Sequence, residues 1–327
     1  MVGSKVNVGE DFFRGARLGL APLAGYTDAP FRLICSGYGA DFAVTEMVSA
    51  EGLVRGMLKT SAMLRRMEGE GPVGVQLFGS DPPVLAEAAS IVEGEADFID
   101  LNFGCPVKKV VRRNGGAAVL RDLELMERIC SSVVGAVAVP VTAKIRSGWT
   151  EREANFIAAG RTAEDTGIAA VTLHPRYRTQ GFAGEADWRH IALLREALSI
   201  PVIANGDVRS VSDYERIVAV SGPGSVMIGR GALGRPWIFS EIKGSLEGRD
   251  GLEFGLGELI ELIEKHVRIA MDWKGQRRAL LEMRKHYRWY LRGISGIKKY
   301  RSVLSRVENP GDVFAILDSI KEEHVET

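Results

Sequence analysis

Val141-Thr-Ala-Lys-Ile-Arg146, then Ala170-Val-Thr-Leu-His174, Val202-Ile-Ala-Asn205 and Val226-Met-Ile-Gly-Arg230, is the stretch that decides the fold. Each piece is short, apolar and rich in β-branched residues, and each interval has room for one helix and its loops. That is the βαβ rhythm of a parallel sheet. Working back toward the N-terminus, the same rhythm recurs at residues 18–24, 41–47, 73–78 and 98–103. Eight such units predict an α/β fold closed into a (β/α)8 TIM barrel, with a doubly wound open sheet as the runner-up.

Beyond Arg235-Pro-Trp237 the strand rhythm stops, and a glycine-containing stretch, 244–257, leads into helical patterns. Leu259, Leu262, Ile263, Val267 and Ala270 recur at helical spacing, and so do Leu280, Leu281, Met283, Tyr287, Trp289 and Tyr290. Two shorter helices flank Asn309-Pro-Gly311. The expected organisation is a catalytic barrel over 1–243 and an all-helical C-terminal domain over 244–327.

The composition fits this size of molecule. With 46% hydrophobic and 26% charged residues over 327 positions, the chain can bury a large core. Cys35, Cys105 and Cys130 are scattered and form no CxxC pair, so neither a disulfide framework nor a zinc site is expected, and a reducing cytoplasm fits best. No apolar run approaches the ~20 residues needed to cross a bilayer, so no membrane partner is expected. Lys and Arg total 42 and Asp and Glu total 42, so net charge alone points to no nucleic-acid partner. The distribution does. Between Lys274 and Arg306 lie 11 basic residues and a single acid, Glu282, too one-sided for an ordinary salt-bridged helix face.

In such a barrel the chemistry sits at the C-terminal ends of the strands. Strand alternation puts Lys144 opposite Ala143 and Ile145, hence pointing inward; Gln76, Asp100, Asn102 and His174 follow by the same parity. Any one of these alone reads as a satisfied core polar group. Gathered on four consecutive strands, they read as a site. The last two strands end in Asn205-Gly-Asp207 and Gly229-Arg-Gly231, suited to backbone N–H groups facing a phosphate with Arg230 beside it. Gly229 to Gly234 also matches GxGxxG, but it ends the α/β region instead of opening it and so is not a dinucleotide fingerprint. Cys105 follows the fourth strand directly, and that loop position makes it a candidate general acid or nucleophile.

Ala21-Pro-Leu-Ala-Gly-Tyr-Thr-Asp28, Gln76-Leu-Phe-Gly79, Asp100-Leu-Asn-Phe-Gly-Cys-Pro106, Lys144-Ile-Arg-Ser-Gly-Trp149, His174-Pro-Arg-Tyr-Arg-Thr-Gln180, Ala186-Asp-Trp188, Asn205-Gly-Asp207 and Gly229-Arg-Gly231 run in order through the barrel. As a set they resemble the tRNA-dihydrouridine synthases, and the helical tail is similar to that family's RNA-binding domain. The resemblance implies an FMN enzyme that takes hydride from NADPH (or NADH) and reduces the C5=C6 bond of particular uridines in tRNA. It implies that Pro22, Leu23, Ala24, Gln76, Lys144 and His174 contact the flavin, and that Asn205, Gly206, Asp207, Gly229 and Arg230 hold its phosphate. It further implies that Cys105 donates a proton and that Asn102, Arg176 and Arg178 meet the substrate. A cytoplasmic monomer acting on tRNA, with no DNA or membrane partner and no metal, is the resulting expectation. An FMN barrel reductase of a free pyrimidine is the nearest alternative, and it leaves the basic tail without a purpose. A Schiff-base aldolase using Lys144 and an inactive tRNA-binding protein stand further off.

Overall fold

The computed structural model describes residues 8, 11–15, 17–58, 62–222, 224–249 and 254–325. Nine parallel strands form one sheet: β1 (Leu18–Leu20), β2 (Phe42–Val44), β3 (Val48–Ser49), β4 (Val73–Phe78), β5 (Phe98–Phe103), β6 (Val141–Gly148), β7 (Ala170–Tyr177), β8 (Val202–Asn205) and β9 (Val226–Ile228). β1 pairs with both β2 and β9, and β2 pairs with β4, so eight strands close a ring while β3 is a two-residue stub on the end of β4. This is the expected TIM barrel, followed by the expected helical region. Two strands exceed their expected length. β6 runs on to Gly148 and β7 to Tyr177, and these two residues pair across a register shift.

The barrel floor is aromatic. Phe42 and Phe98 turn inward and meet Phe13 edge-on, with ring centroids 5.5 and 5.2 Å away. Gly19 and Gly74 make room for them, because a Cβ at either position would lie 2.2 Å from the neighbouring ring. Above this plug the inward positions become polar: Gln76, Asp100, Thr142 and Thr172 are all buried. Large apolar side chains at the bottom and short polar ones above confine the chemistry to one end.

Helices outside the barrel begin on recognisable caps. Asp28 accepts from the Phe31 N–H at the start of Ala29–Gly37, and Asp81 accepts from Val84 N–H ahead of Pro82–Val92, each with a proline in the first turn. Arg32, on the first of these helices, forms a buried ion pair with Glu70 at 2.7 Å and donates to the Thr27 carbonyl at 3.0 Å. It thereby fixes the loop that carries Pro22, Leu23 and Ala24.

The chain divides into two compact units, one ending at Arg230 and the next beginning at Gly231, ahead of the 243/244 boundary expected from the strand rhythm. Side-chain packing explains the earlier division. Trp237 stacks on Phe254 with centroids 3.7 Å apart, and a Cβ on Gly234 would lie 2.4 Å from the Trp289 backbone, so this segment belongs with the helices. That unit contains helices Ile238–Leu246, Leu256–Lys274, Gln276–Tyr290, Lys298–Leu304 and Pro310–Val325. Leu259, Ile263, Val267, Leu280, Met283 and Tyr287 are buried within it. Among the described residues no helix is long and apolar enough to cross a membrane.

Candidate active site

The inward groups of β4 to β7 are joined in a directional relay. Thr142 Oγ1 and Gln76 Nε2 both donate to the Asp100 carboxylate, at 2.6 and 2.7 Å. With its nitrogen committed to Asp100, Gln76 turns its Oε1 toward Asn102 and accepts from Asn102 Nδ2 at 2.7 Å. Asn102 Oδ1 is then left to accept from the backbone N–H groups of Gly104 and Cys105, at 3.2 and 2.9 Å. One buried acceptor on β5 therefore orients two amides and, through them, the loop that bears Cys105. Burial raises the Asp100 pKa, and the bonds from Thr142 and Gln76 and the Lys144 charge act against that rise.

The Cys105 loop is also held from outside the relay. The Cys105 carbonyl accepts from Ala117 N–H at 3.1 Å, and Arg146 Nε donates to the Gly104 carbonyl at 2.7 Å. Gly116 lies against this loop with φ +60°, and a Cβ there would come within 2.8 Å of the Cys105 carbonyl. The thiol itself is part-exposed at the mouth. Desolvation pushes its pKa up, outweighing the lowering effects of a backbone bond at Val107 and the charge of Arg146. Cys105 is a protonated thiol at neutral pH. Cys35 and Cys130 are fully buried, and burial raises both; they are packing residues.

On the neighbouring strand β6, in register with Asn102, Lys144 Nζ donates to Asn205 Oδ1 at 2.7 Å, and Asn205 Nδ2 donates to the Met227 carbonyl at 2.7 Å. Desolvation drives the Lys144 pKa down to about 7, with Asp100 opposing and Arg146 adding to the fall. His174 is pushed well below its ordinary value by burial and by the charges of Lys144, Arg146, Arg176 and Arg230, so it stays neutral. Arg176 lies 3.0 Å from His174 Nε2, and a guanidinium can only donate, so Nε2 accepts and Nδ1 carries the hydrogen.

The corner between β8 and β9 turns through two residues of positive φ, Gly206 at +125° and Asp207 at +57°. Gly206 has no room for a side chain, since a Cβ would stand 3.0 Å from His174 Cδ2. Asp207 receives Arg176 and, at 3.1 Å, Arg230, and its carboxyl is held below the usual range by these bonds and charges despite its burial.

Two expected substrate contacts also hold the surrounding structure. Arg176 is 1% exposed, and its donors are committed to Asp207, His174 and the carbonyls of Ala183 and Gly184, so it braces the wall behind the mouth instead of reaching into it. Asn102 is likewise occupied on both its oxygen and its nitrogen. Arg178 is part-exposed, with Cζ 4.6 Å from the Trp149 ring centroid. Sequence reading missed Arg146 as the brace of the Cys105 loop: its strand parity was visible, but not its bond to Gly104. Ser147, His190 and Asp187 imitate a nucleophilic triad, with Ser147 Oγ 2.9 Å from His190 Nδ1. Ser147 has no exposed surface and the His190–Asp187 separation is 3.8 Å, so the group is structural.

These features lie in a segment with known relatives: the family described as Dihydrouridine synthase (Dus) matches residues 19–325. The chain belongs to the dihydrouridine synthase family. One relative, tRNA-dihydrouridine synthase B of Yersinia pestis, is 40% identical over 301 residues, spanning 91% of this chain and 94% of its own. The protein of the same description from Xanthomonas axonopodis pv. citri is 41% identical over 302 residues, spanning 91% and 90%. Among solved structures, histamine dehydrogenase from Rhizobium sp. 4-9 superposes with a TM-score of 0.52 at 17% identity, over 78% of this chain and 49% of that one, a likeness of fold alone.

Proposed function

We propose that the protein is a tRNA-dihydrouridine synthase, an oxidoreductase that reduces the C5=C6 bond of particular uridines in tRNA with FMN and NADPH (or NADH). The observation that carries this reading, beyond family membership, is a Cys105 thiol on a loop fixed by Asn102 and Arg146 at the barrel mouth, its pKa raised so that it keeps its proton.

The residues suit FMN. Lys144 is a desolvated cation whose partner here is the neutral Asn205 oxygen, so an anionic ring edge would suit it better than its present surroundings. His174 and Gln76 would border the same ring, and Pro22, Leu23 and Ala24, held in place through Arg32, would contact it from β1. The backbone of Gly206, Asp207 and Gly229, with Arg230, would take the phosphate. Asn205 serves that corner indirectly, by holding Lys144, and Asp207 serves it by holding Arg230. A flavin bound there would supply the hydride for uracil C6.

The chain's own residues handle the rest. As hydride arrives at C6, negative charge develops over C5 and O4, and C5 must take a proton. Cys105 Sγ holds that proton at neutral pH, and the relay from Asp100 through Gln76 and Asn102 keeps its loop in place. Arg146 adds positive charge beside the loop. Burial and neighbouring cations push its pKa down to about 10, which leaves it charged under working conditions.

A uridine reaches such a mouth only out of its stack, and a tRNA loop makes that less costly than a duplex does. The helical unit contributes Arg277, Arg288, Arg292, Lys298 and Arg306 as exposed cations for phosphates, while Arg278 and Lys299 are paired with Glu282 and Glu323, giving sequence-tolerant and salt-sensitive affinity. In this scheme the unit ending at Arg230 holds FMN and the helical unit beginning at Gly231 binds tRNA. We take the protein to be a cytoplasmic monomer. The test is direct: incubate the purified protein with FMN, NADPH and unmodified tRNA, and map dihydrouridine at nucleotide resolution. Product at one or two loop positions is expected. Flavin reduction without any product would refute the tRNA assignment.

A further inference from the structure

Ala186-Asp-Trp188 takes no part in the relay that fixes Cys105, yet residues 186–190 form a strap across the ends of three strands. The Asp187 N–H donates to the Pro175 carbonyl on β7 at 3.0 Å, and His190 Nδ1 lies 2.9 Å from Ser147 Oγ on β6. The other two bonds go to the corner after β8. Ala186 N–H donates to Asp207 Oδ2 at 2.9 Å, and Trp188 Nε1 donates to the Gly206 carbonyl at 3.0 Å. The indole is held in turn from the helix Val211–Ser221, where Arg216, paired with Asp213, has Cζ 5.6 Å from the ring centroid.

The bond from Trp188 fixes a peptide that would otherwise be free to turn. In a planar trans peptide the carbonyl and the following N–H point opposite ways, so holding the Gly206 oxygen sets the direction of the Asp207 N–H. Among the described residues none accepts that N–H. A flip of this peptide would change ψ at Gly206, which glycine tolerates, and would take Asp207 out of its left-handed φ of +57°. A non-glycine residue stays in that region when its surroundings hold it there. The flip would also set a carbonyl oxygen where the N–H now points, and an oxygen there repels an anion.

We infer that Trp188 is a positioning residue for the phosphate corner: its indole N–H pins the Gly206 carbonyl so that the Asp207 N–H is presented to the phosphate of FMN. The inference rests on the FMN reading above and adds to it the residue that sets the preference for a phosphorylated flavin.

The test titrates the full-length protein, freed of flavin, with FMN and with riboflavin, which has the same ring and no phosphate. Trp188→Phe keeps a ring and loses the donor; it is expected to weaken FMN by about 2- to 10-fold, the range for one hydrogen bond, and to leave riboflavin affinity unchanged. Trp188→Gln, with a donor the same number of bonds from Cα and no ring, is expected to keep most of the preference for FMN. Ser147→Ala, which loosens the strap at β6 alone, should leave the preference intact. Equal weakening of both flavins in Trp188→Phe overturns the proposal in favour of plain packing, as does a Gln variant no better than Phe. An unchanged preference in Trp188→Phe overturns it outright, and a lost preference in Ser147→Ala overturns it in favour of general loosening. If the wild type binds FMN no tighter than riboflavin, the phosphate is not held at this corner, and the FMN reading of the corner fails first.

Discussion

Replacing Asn102 by alanine tests the relay that holds the catalytic loop. The substitution removes three hydrogen bonds: to Gln76 Oε1 at 2.7 Å, and from the N–H groups of Gly104 at 3.2 Å and Cys105 at 2.9 Å. At about 1 kcal/mol net for each, the fold loses about 3 kcal/mol, and the loop's share is about 2 kcal/mol. A bias of about 2 kcal/mol against the ordered loop corresponds to roughly a 30-fold change in its population. The Ala117 and Arg146 contacts remain, so kcat for uridine reduction should fall by about 10- to 30-fold, while KM for tRNA changes little. Asn102→Asp provides the control. It still accepts from both loop amides but sets a carboxylate oxygen against Gln76 Oε1, and Gln76 cannot rotate without losing Asp100. It should therefore cost stability while leaving the loop amides slow to exchange. The assay pairs single-turnover reduction with hydrogen exchange at Gly104 and Cys105. If Asn102→Ala leaves both amides protected and raises only KM, Asn102 contacts the uracil and the relay argument is wrong.

Further expectations can be checked separately. Cys105→Ala should retain flavin and lose about 10²- to 10⁴-fold in product formation on unmodified tRNA; a normal yield would remove Cys105 from the mechanism. Because the thiol's pKa is raised, the rate should stay flat through neutral pH and fall only at alkaline pH as Cys105 loses its proton, a limb that Cys105→Ala should lack. Glu70→Gln leaves Arg32 buried with its charge unmatched, and should cost about 3–5 kcal/mol in denaturant unfolding. Finally, a combined Arg288→Ala, Arg292→Ala and Lys298→Ala variant should weaken tRNA binding and flatten its salt dependence, by about 0.7–0.9 in log–log slope for each phosphate no longer neutralised; an unchanged slope would exclude these side chains.

Much of the barrel was legible because its signals are local and periodic. Alternation along β4 to β7 was enough to aim Gln76, Asp100, Asn102, Lys144 and His174 inward, since a strand has a period of two and one face must meet the core. The closing of the ring followed from counting eight βα units. The loop position of Cys105 was visible because the end of β5 could be read. The β3 stub was not, as two residues carry no periodic signal. Nor was the division at Arg230, because the packing of Gly234 on Trp289 and of Trp237 on Phe254 joins segments distant in sequence or without periodic signal.

By itself the sequence determined the fold class, the inward face of each strand and the family, because periodicity and ordered motifs are properties of neighbours along the chain. Tertiary structure alone decided what those inward groups do to one another. That Gln76 is oriented by Asp100, that Asn102 commits its oxygen to the Cys105 loop, and that Arg176 is buried behind Asp207 depend on contacts between different strands. Hydrogen-bond direction and desolvation arise only when distant segments meet in space, and they separate the residues that face a substrate from those that hold them in place.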